Sequence, residues 1–118
     1  MERISNRAVE ASINFLTRKG YEILDRNWQA VGAAIDIVAK DDDGIAFVAV
    51  TVSIGSQGFE DPKASRASRE SAAAQWLAVN GEELANVTVR FDDIALMVVN
   101  GSRAILRHHI NALASLED

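Results

Sequence analysis

The sequence predicts an α/β domain in which a mixed β-sheet of about five strands is flanked by helices. Three observations carry that expectation. Stretches with apolar residues at helical spacing and stretches with two-residue alternation follow one another as helix, three strands, helix, two strands. Both strand faces of such an order are buried only if helices cover the sheet. The length of 118 residues, with 48% hydrophobic and 25% charged residues, suits one core, so residues 1–118 are assigned to a single domain.

The first element is a helix in SNRAVEASINFLTRKG, where Val9, Ile13 and Leu16 recur at helical spacing. Ser5 or Asn6 is the candidate N-cap, and Gly20 is the stop. YEILDRNW reads as a short strand. After Gly32, AAIDIVAK alternates Ile35, Ile37 and Ala39 with Ala34, Asp36 and Val38. DDDG at 41–44 is a polar turn into GIAFVAVTVS, so residues 33–52 form an antiparallel hairpin. SIGSQGFEDP, with two glycines and the sole proline, is a loop, and Asp61-Pro62 is a good start for a second helix ending at Gly81. Two further strands, VTVRFDDIALMVV and RAILRHHI, are joined by Asn100-Gly101, and INALASLED finishes the chain as a short helical or irregular tail.

Composition narrows the function. A net charge of −5 and a pI near 5.0 argue against strong nonspecific affinity for nucleic acid, which comes from cationic side chains displacing counterions. The absence of cysteine excludes disulfides, thiolate metal sites and a cysteine nucleophile. The N-terminal stretch has charges throughout and no apolar run typical of a signal peptide, and the longest apolar run, IALMVV, is too short for a bilayer. The expectation is a soluble cytoplasmic protein with no membrane partner.

The hairpin contains the most informative position. With DDDG as a symmetric four-residue loop, Lys40 pairs with Ile45, Asp36 faces Ala49 and Ala34 faces Thr51. Ile35, Ile37, Ala39, Ala46, Val48 and Val50 then share one apolar face, and Ala34, Asp36, Ala49 and Thr51 share the other. Asp36, between two isoleucines, needs compensation, because a carboxylate is costly to bury unpaired. It is either a rim aspartate, solvated or bonded to a backbone amide, or a metal-ligating or catalytic carboxylate. A Mg²⁺ site for phosphodiester cleavage needs more than one carboxylate, and usually a nearby cation. The cross-strand neighbours, alanine and threonine, supply neither.

GYEILDRNWQAVGAAIDIVAKDDDGIAFVAVTVS resembles the signature of the YraN-type proteins, a bacterial group of restriction-endonuclease-like fold in the PD-(D/E)XK nuclease superfamily. The resemblance continues through AAAQWL, VRFDDIAL and HHINAL, covering nearly the whole chain. It implies a nuclease-type centre with acids at positions 34, 36 and 49, a lysine at 51 and a helix acid aligned best with Val9, one residue from Glu10. Only Asp36 keeps its polar group. Ala34, Ala49 and Thr51 are vestigial positions, while Gly20, Tyr21, Trp28, Phe47, Trp76, Arg90, Phe91 and Asp92 keep the framework. The resemblance therefore implies a preserved fold with a degenerate active site: a pseudo-nuclease binding DNA, RNA or a protein partner. Asp36 is the sole retained candidate metal ligand, and Mg²⁺ enters only with residual activity, for which Glu10, Glu60 and Asp61 are conceivable donors. A purely structural or protein-interaction domain and a weak divergent nuclease are the alternatives.

Other candidates carry less. His108 and His109, adjacent in a strand, point to opposite faces and cannot chelate one ion; one faces solvent and the other packs near the last helix. Lys63, Arg66 and Arg69 give the second helix a basic beginning that either contacts a phosphate backbone or is a solvated face offset by Glu60, Asp61 and Glu70. Trp28 and Trp76 are base-stacking candidates or, as is commoner, packing residues. The loop at 53–60 has glycines without a phosphate-loop pattern, and Ser53 and Ser56 have no His-Asp partner of recognisable spacing.

Overall fold

The computed structural model describes residues 2–54, 65–81, 88–100 and 103–111. Its elements are α1 (Glu2–Arg18), β1 (Glu22–Ala30), β2 (Ala33–Asp41), β3 (Gly44–Ile54), α2 (Arg66–Asn80), β4 (Val89–Asn100) and β5 (Arg103–His109), the order the patterning predicts. The strands form one five-stranded sheet in chain order. Only β3 and β4 run parallel, and α2 lies between them in the chain. The arrangement is that of a restriction-endonuclease-like fold.

Helix α1 begins before its expected cap. Its backbone is already helical at Ser5 and Asn6, so neither takes the extended conformation that capping requires. Its end is as expected: Gly20 adopts φ +94°, and the amides of Gly20 and Tyr21 return to the carbonyls of Thr17 and Leu16, each at 3.0 Å. In α2, Ser65 is the N-cap, its hydroxyl accepting from the Ser68 amide at 3.1 Å. The described helix thus starts at Arg66; Asp61-Pro62 and the tail at 112–118 lie outside the described residues.

The β2–β3 hairpin keeps the expected register, with Lys40 opposite Ile45, but Asp41 also pairs with Gly44, so the loop is Asp42-Asp43 alone. Asp41 shapes this turn by accepting from the amides of Asp43 and Gly44 at 2.9 and 3.1 Å. The rungs stop at Ile37 opposite Val48. Beyond that point β2 is paired with β1 alone, so the expected Asp36–Ala49 and Ala34–Thr51 pairs do not form; Ala34 pairs with Gln29 instead.

Helices on the two faces divide the core. Val9, Ile13 and Leu16 of α1 pack with Ile37, Ala39, Ala46, Val48 and Ile94 of the sheet. Ala72, Ala73 and Trp76 of α2 pack with Val38, Ile45 and Phe47 on the other face. Each fully buried aliphatic or aromatic side chain contributes about 1.5–3 kcal/mol relative to exposure. Ile35, expected beside Ile37, packs in the α2 cluster, since it lies past the last rung that holds β2 flat against β3. Trp76 is core: its ring meets Phe47 edge-on at 5.7 Å, and its Nε1 donates to Asp25 at 3.0 Å. Trp28 packs at the margin of the same cluster.

Candidate functional site

The alternation of β3 sets the site. Phe47 faces α2 and Val48 faces α1, which places Ala49 and Thr51 toward the α2 side. The parallel partner strand sets Asp93 opposite Ala49 and Ala95 opposite Thr51. On β4, Asp92 meets Tyr21-side partners on the α1 face, and Asp93 points the other way, toward α2.

Asp36 sits at the point where β2 leaves β3. Its Oδ2 accepts from the Val50 amide at 2.8 Å, so the carboxylate supplies the acceptor that a further backbone rung would have provided. Of the two expectations for Asp36, bonding to a backbone amide describes its place. Burial pushes its carboxyl above the ordinary range, while the Val50 hydrogen bond and the charge of Arg69 pull the other way without cancelling it.

Arg69 departs furthest from the solvated-face expectation. It is 8% exposed. One terminal nitrogen lies 2.9 Å from Asp93 Oδ1, the other donates to the Asp92 carbonyl at 2.9 Å, and the guanidinium carbon stands 5.7 Å from the Phe91 ring centre. The sequence did hold a clue: Arg69, Ala72, Ala73 and Trp76 fall at i, i+3, i+4 and i+7, the single buried stripe of α2. Arg66, by contrast, is partly exposed and pairs with Glu70 at 3.2 Å along the helix. Lys63, Glu60 and Asp61 lie outside the described residues.

The helix-acid position gives no help. Val9 is 5% exposed in the core beneath α1. Glu10 lies on the outer surface, held by Arg26 through two contacts of 2.9 and 3.0 Å. Among the described residues no three acidic, histidine or cysteine side chains gather where they could hold a metal ion. The donors near Ala49 do not fit Mg²⁺ either. One Asp36 oxygen is taken by an amide and Asp93 is paired with a guanidinium, so the described residues alone do not complete the octahedral geometry that the ion demands.

On the opposite face the structure brings together a network that spacing did not reveal. Asp92, 0% exposed, accepts from Arg90 Nε at 3.0 Å, from Arg90 Nη2 at 3.2 Å, from the Asn111 amide at 2.8 Å, and lies 2.9 Å from His108 Nε2. Arg90 continues to Asp41 at 3.1 Å and to the Tyr21 hydroxyl at 2.6 Å. Burial alone would raise the Asp92 carboxyl, but bonds from His108, Arg90 and Asn111, with the Arg90 charge, hold it below the ordinary range. The histidines separate as expected, His109 outward and His108 inward. His108 packs against Phe15 of α1 and Tyr21, at ring distances of 5.9 and 6.1 Å, rather than against a final helix. The network ties β2, β4 and β5 together, α1 joins it through the packing of Phe15 on His108, and the central Asp92 carboxylate is closed to solvent.

Comparison with known proteins gives a consistent result. Residues 10–96 match the model of a family described as "Uncharacterised protein family UPF0102". A "UPF0102 protein" of Trichlorobacter lovleyi is 33% identical over 108 residues, covering 87% of this chain and 84% of that one. A second, from Rhodococcus jostii, is 31% identical over 104 residues, covering 84% and 86%. A third, from Clostridium perfringens, is 35% identical over 92 residues, covering 74% and 73%.

Proposed function

Because the chain belongs to the uncharacterised protein family UPF0102, of restriction-endonuclease-like fold, we propose that it is a nuclease-fold domain that binds nucleic acid without cleaving phosphodiester bonds. The observation that carries this is the filling of the ground around Ala49. Cleavage in this fold needs carboxylates free to hold a metal and a cation free to meet the phosphate. Here the flanking carboxylates of Asp36 and Asp93 are engaged by the Val50 amide and by Arg69, and Ala49 and Thr51 bring no charge. The loss of metal and lysine together removes terms each worth several kcal/mol of transition-state stabilisation.

Arg66 at the start of α2, with Lys63 three residues before it in the sequence, is assigned to the phosphate backbone. The experiment incubates linear and branched DNA and RNA with the intact chain in Mg²⁺ and in Mn²⁺, beside binding assays over a salt series. The expected result is no cleavage, with salt-sensitive binding that weakens on Lys63→Ala and Arg66→Ala. Metal-dependent cleavage abolished by Asp36→Ala would overturn the reading. Absence of binding at low salt would reassign the domain to protein interaction.

A further inference from the structure

Asp36, on β2, accepts from the Val50 amide, and Asp93, on β4, lies opposite Ala49, so two carboxylates flank the Ala49–Val50 segment of β3 from its two sides. A buried guanidinium is costly unless its charge is answered. Arg69 comes down from α2 onto this segment, paired with Asp93 at 2.9 Å, anchored on the Asp92 carbonyl and close enough to Asp36 for its charge to act there.

We infer that the Arg69 guanidinium is a resident cation, standing between Asp36 and Asp93 where a nuclease-fold site would hold a divalent ion, and making this site independent of metal. This rests on the reading that Ala49 and Thr51 occupy the positions of an acid and a lysine. The chemistry is substitution of one cation for another, alike in sign and unlike in exchange: a covalently tethered monocation cannot leave, be chelated or be replaced by solution ions. The two carboxylates are then a latent cation site that the arginine keeps shut. Placing an acid at position 49 alone would hand Arg69 a third carboxylate and recruit no metal.

The test is removal of the arginine with retention of its stem. Arg69→Met keeps apolar contact with Phe91 and leaves the Asp93 carboxylate without its guanidinium partner, one strand from the Val50-bonded Asp36. Mn²⁺ is titrated into each folded protein and followed by calorimetry and by electron paramagnetic resonance of the free ion. The intact chain is expected to show no saturable Mn²⁺ binding in the millimolar range. Arg69→Met should bind one equivalent at least ten-fold more tightly, and lose it when Asp93→Asn or Asp36→Asn is added. Arg69→Lys, which keeps the charge, should bind none.

Mn²⁺ binding by the intact chain equal to that of Arg69→Met, or none by a folded Arg69→Met, would overturn the inference. If Arg69→Met does not fold in buffer, the inference requires that millimolar Mn²⁺ restore its cooperative thermal transition, because a ligand that binds only the native state stabilises it; failure of that rescue overturns it too. The two readings fail separately. An intact chain that binds no nucleic acid, with Arg69→Met capturing Mn²⁺, loses the binding role and keeps the resident cation. An Arg69→Met that captures nothing removes the resident cation and leaves the nucleic-acid assay as it was.

Discussion

Replacing Asp92 by asparagine should cost about 3–5 kcal/mol of folding free energy, the range for breaking a buried, hydrogen-bonded charge pair. The structure supports that range from its parts. Asp92 is fully buried and its two oxygens accept from Arg90, His108 and the Asn111 amide. Hydrogen bonds to a charged partner are each worth roughly 1.5–3 kcal/mol. Asparagine keeps one acceptor oxygen and turns an NH₂ group toward donors, so at least one bond becomes a repulsion. Arg90 keeps Asp41 at 3.1 Å, which limits the loss. Urea denaturation reads the outcome as a lower midpoint at unchanged slope. The sign of the pH dependence follows from the depressed Asp92 carboxyl: the unfolded chain takes up the proton first, at an ordinary value of 3.8. The advantage over Asp92→Asn is therefore complete above about pH 4 and drains away as pH falls through the lower folded value. A difference under about 1 kcal/mol at pH 7, or one that grows as the pH falls, would refute this account of the network.

Two further substitutions test the hairpin. Asp36→Ala strands the Val50 amide and should cost about 1–3 kcal/mol, whereas Asp36→Asn retains an acceptor and should change stability by less than about 1 kcal/mol, both read by urea denaturation. Because the Asp36 carboxyl is raised in the folded chain, stability relative to Asp36→Asn should decline as pH rises from 3.8 through that higher value. Gly44→Ala should lower the thermal midpoint sharply, at more than about 2 kcal/mol: Gly44 has φ +147°, and an added methyl would collide with the Thr88 carbonyl.

What was legible in the sequence is what local periodicity and turn chemistry encode. The alternation around DDDG set the hairpin register, and the helical spacing ending at Gly20 and Gly81 set where both helices stop. The amide-bonded alternative for Asp36 followed from the cost of burying a bare carboxylate. The Arg69–Asp93 pair joins different elements through a parallel crossover, and no run of residues reports which strand will lie beneath a helix. The stripe of Arg69, Ala72, Ala73 and Trp76 could have announced the burial of the arginine, but not its partner. The Asp92 network was hidden for the same reason: Tyr21, Asp41, Arg90 and His108 meet only once the sheet has assembled.

On the reading proposed above, the bond from Val50 to Asp36 bears on how an incomplete catalytic motif is to be read. A carboxylate that also finishes a strand ladder has a reason to persist after chemistry is gone, since its loss would be felt by the backbone. An acid or lysine whose whole employment was at the substrate has no such second tenure and drifts freely to alanine or threonine. Survivors in a worn motif are thus a sample weighted toward architecture. On that reading Asp36 measures what the sheet requires, and is a poor gauge of what the site does.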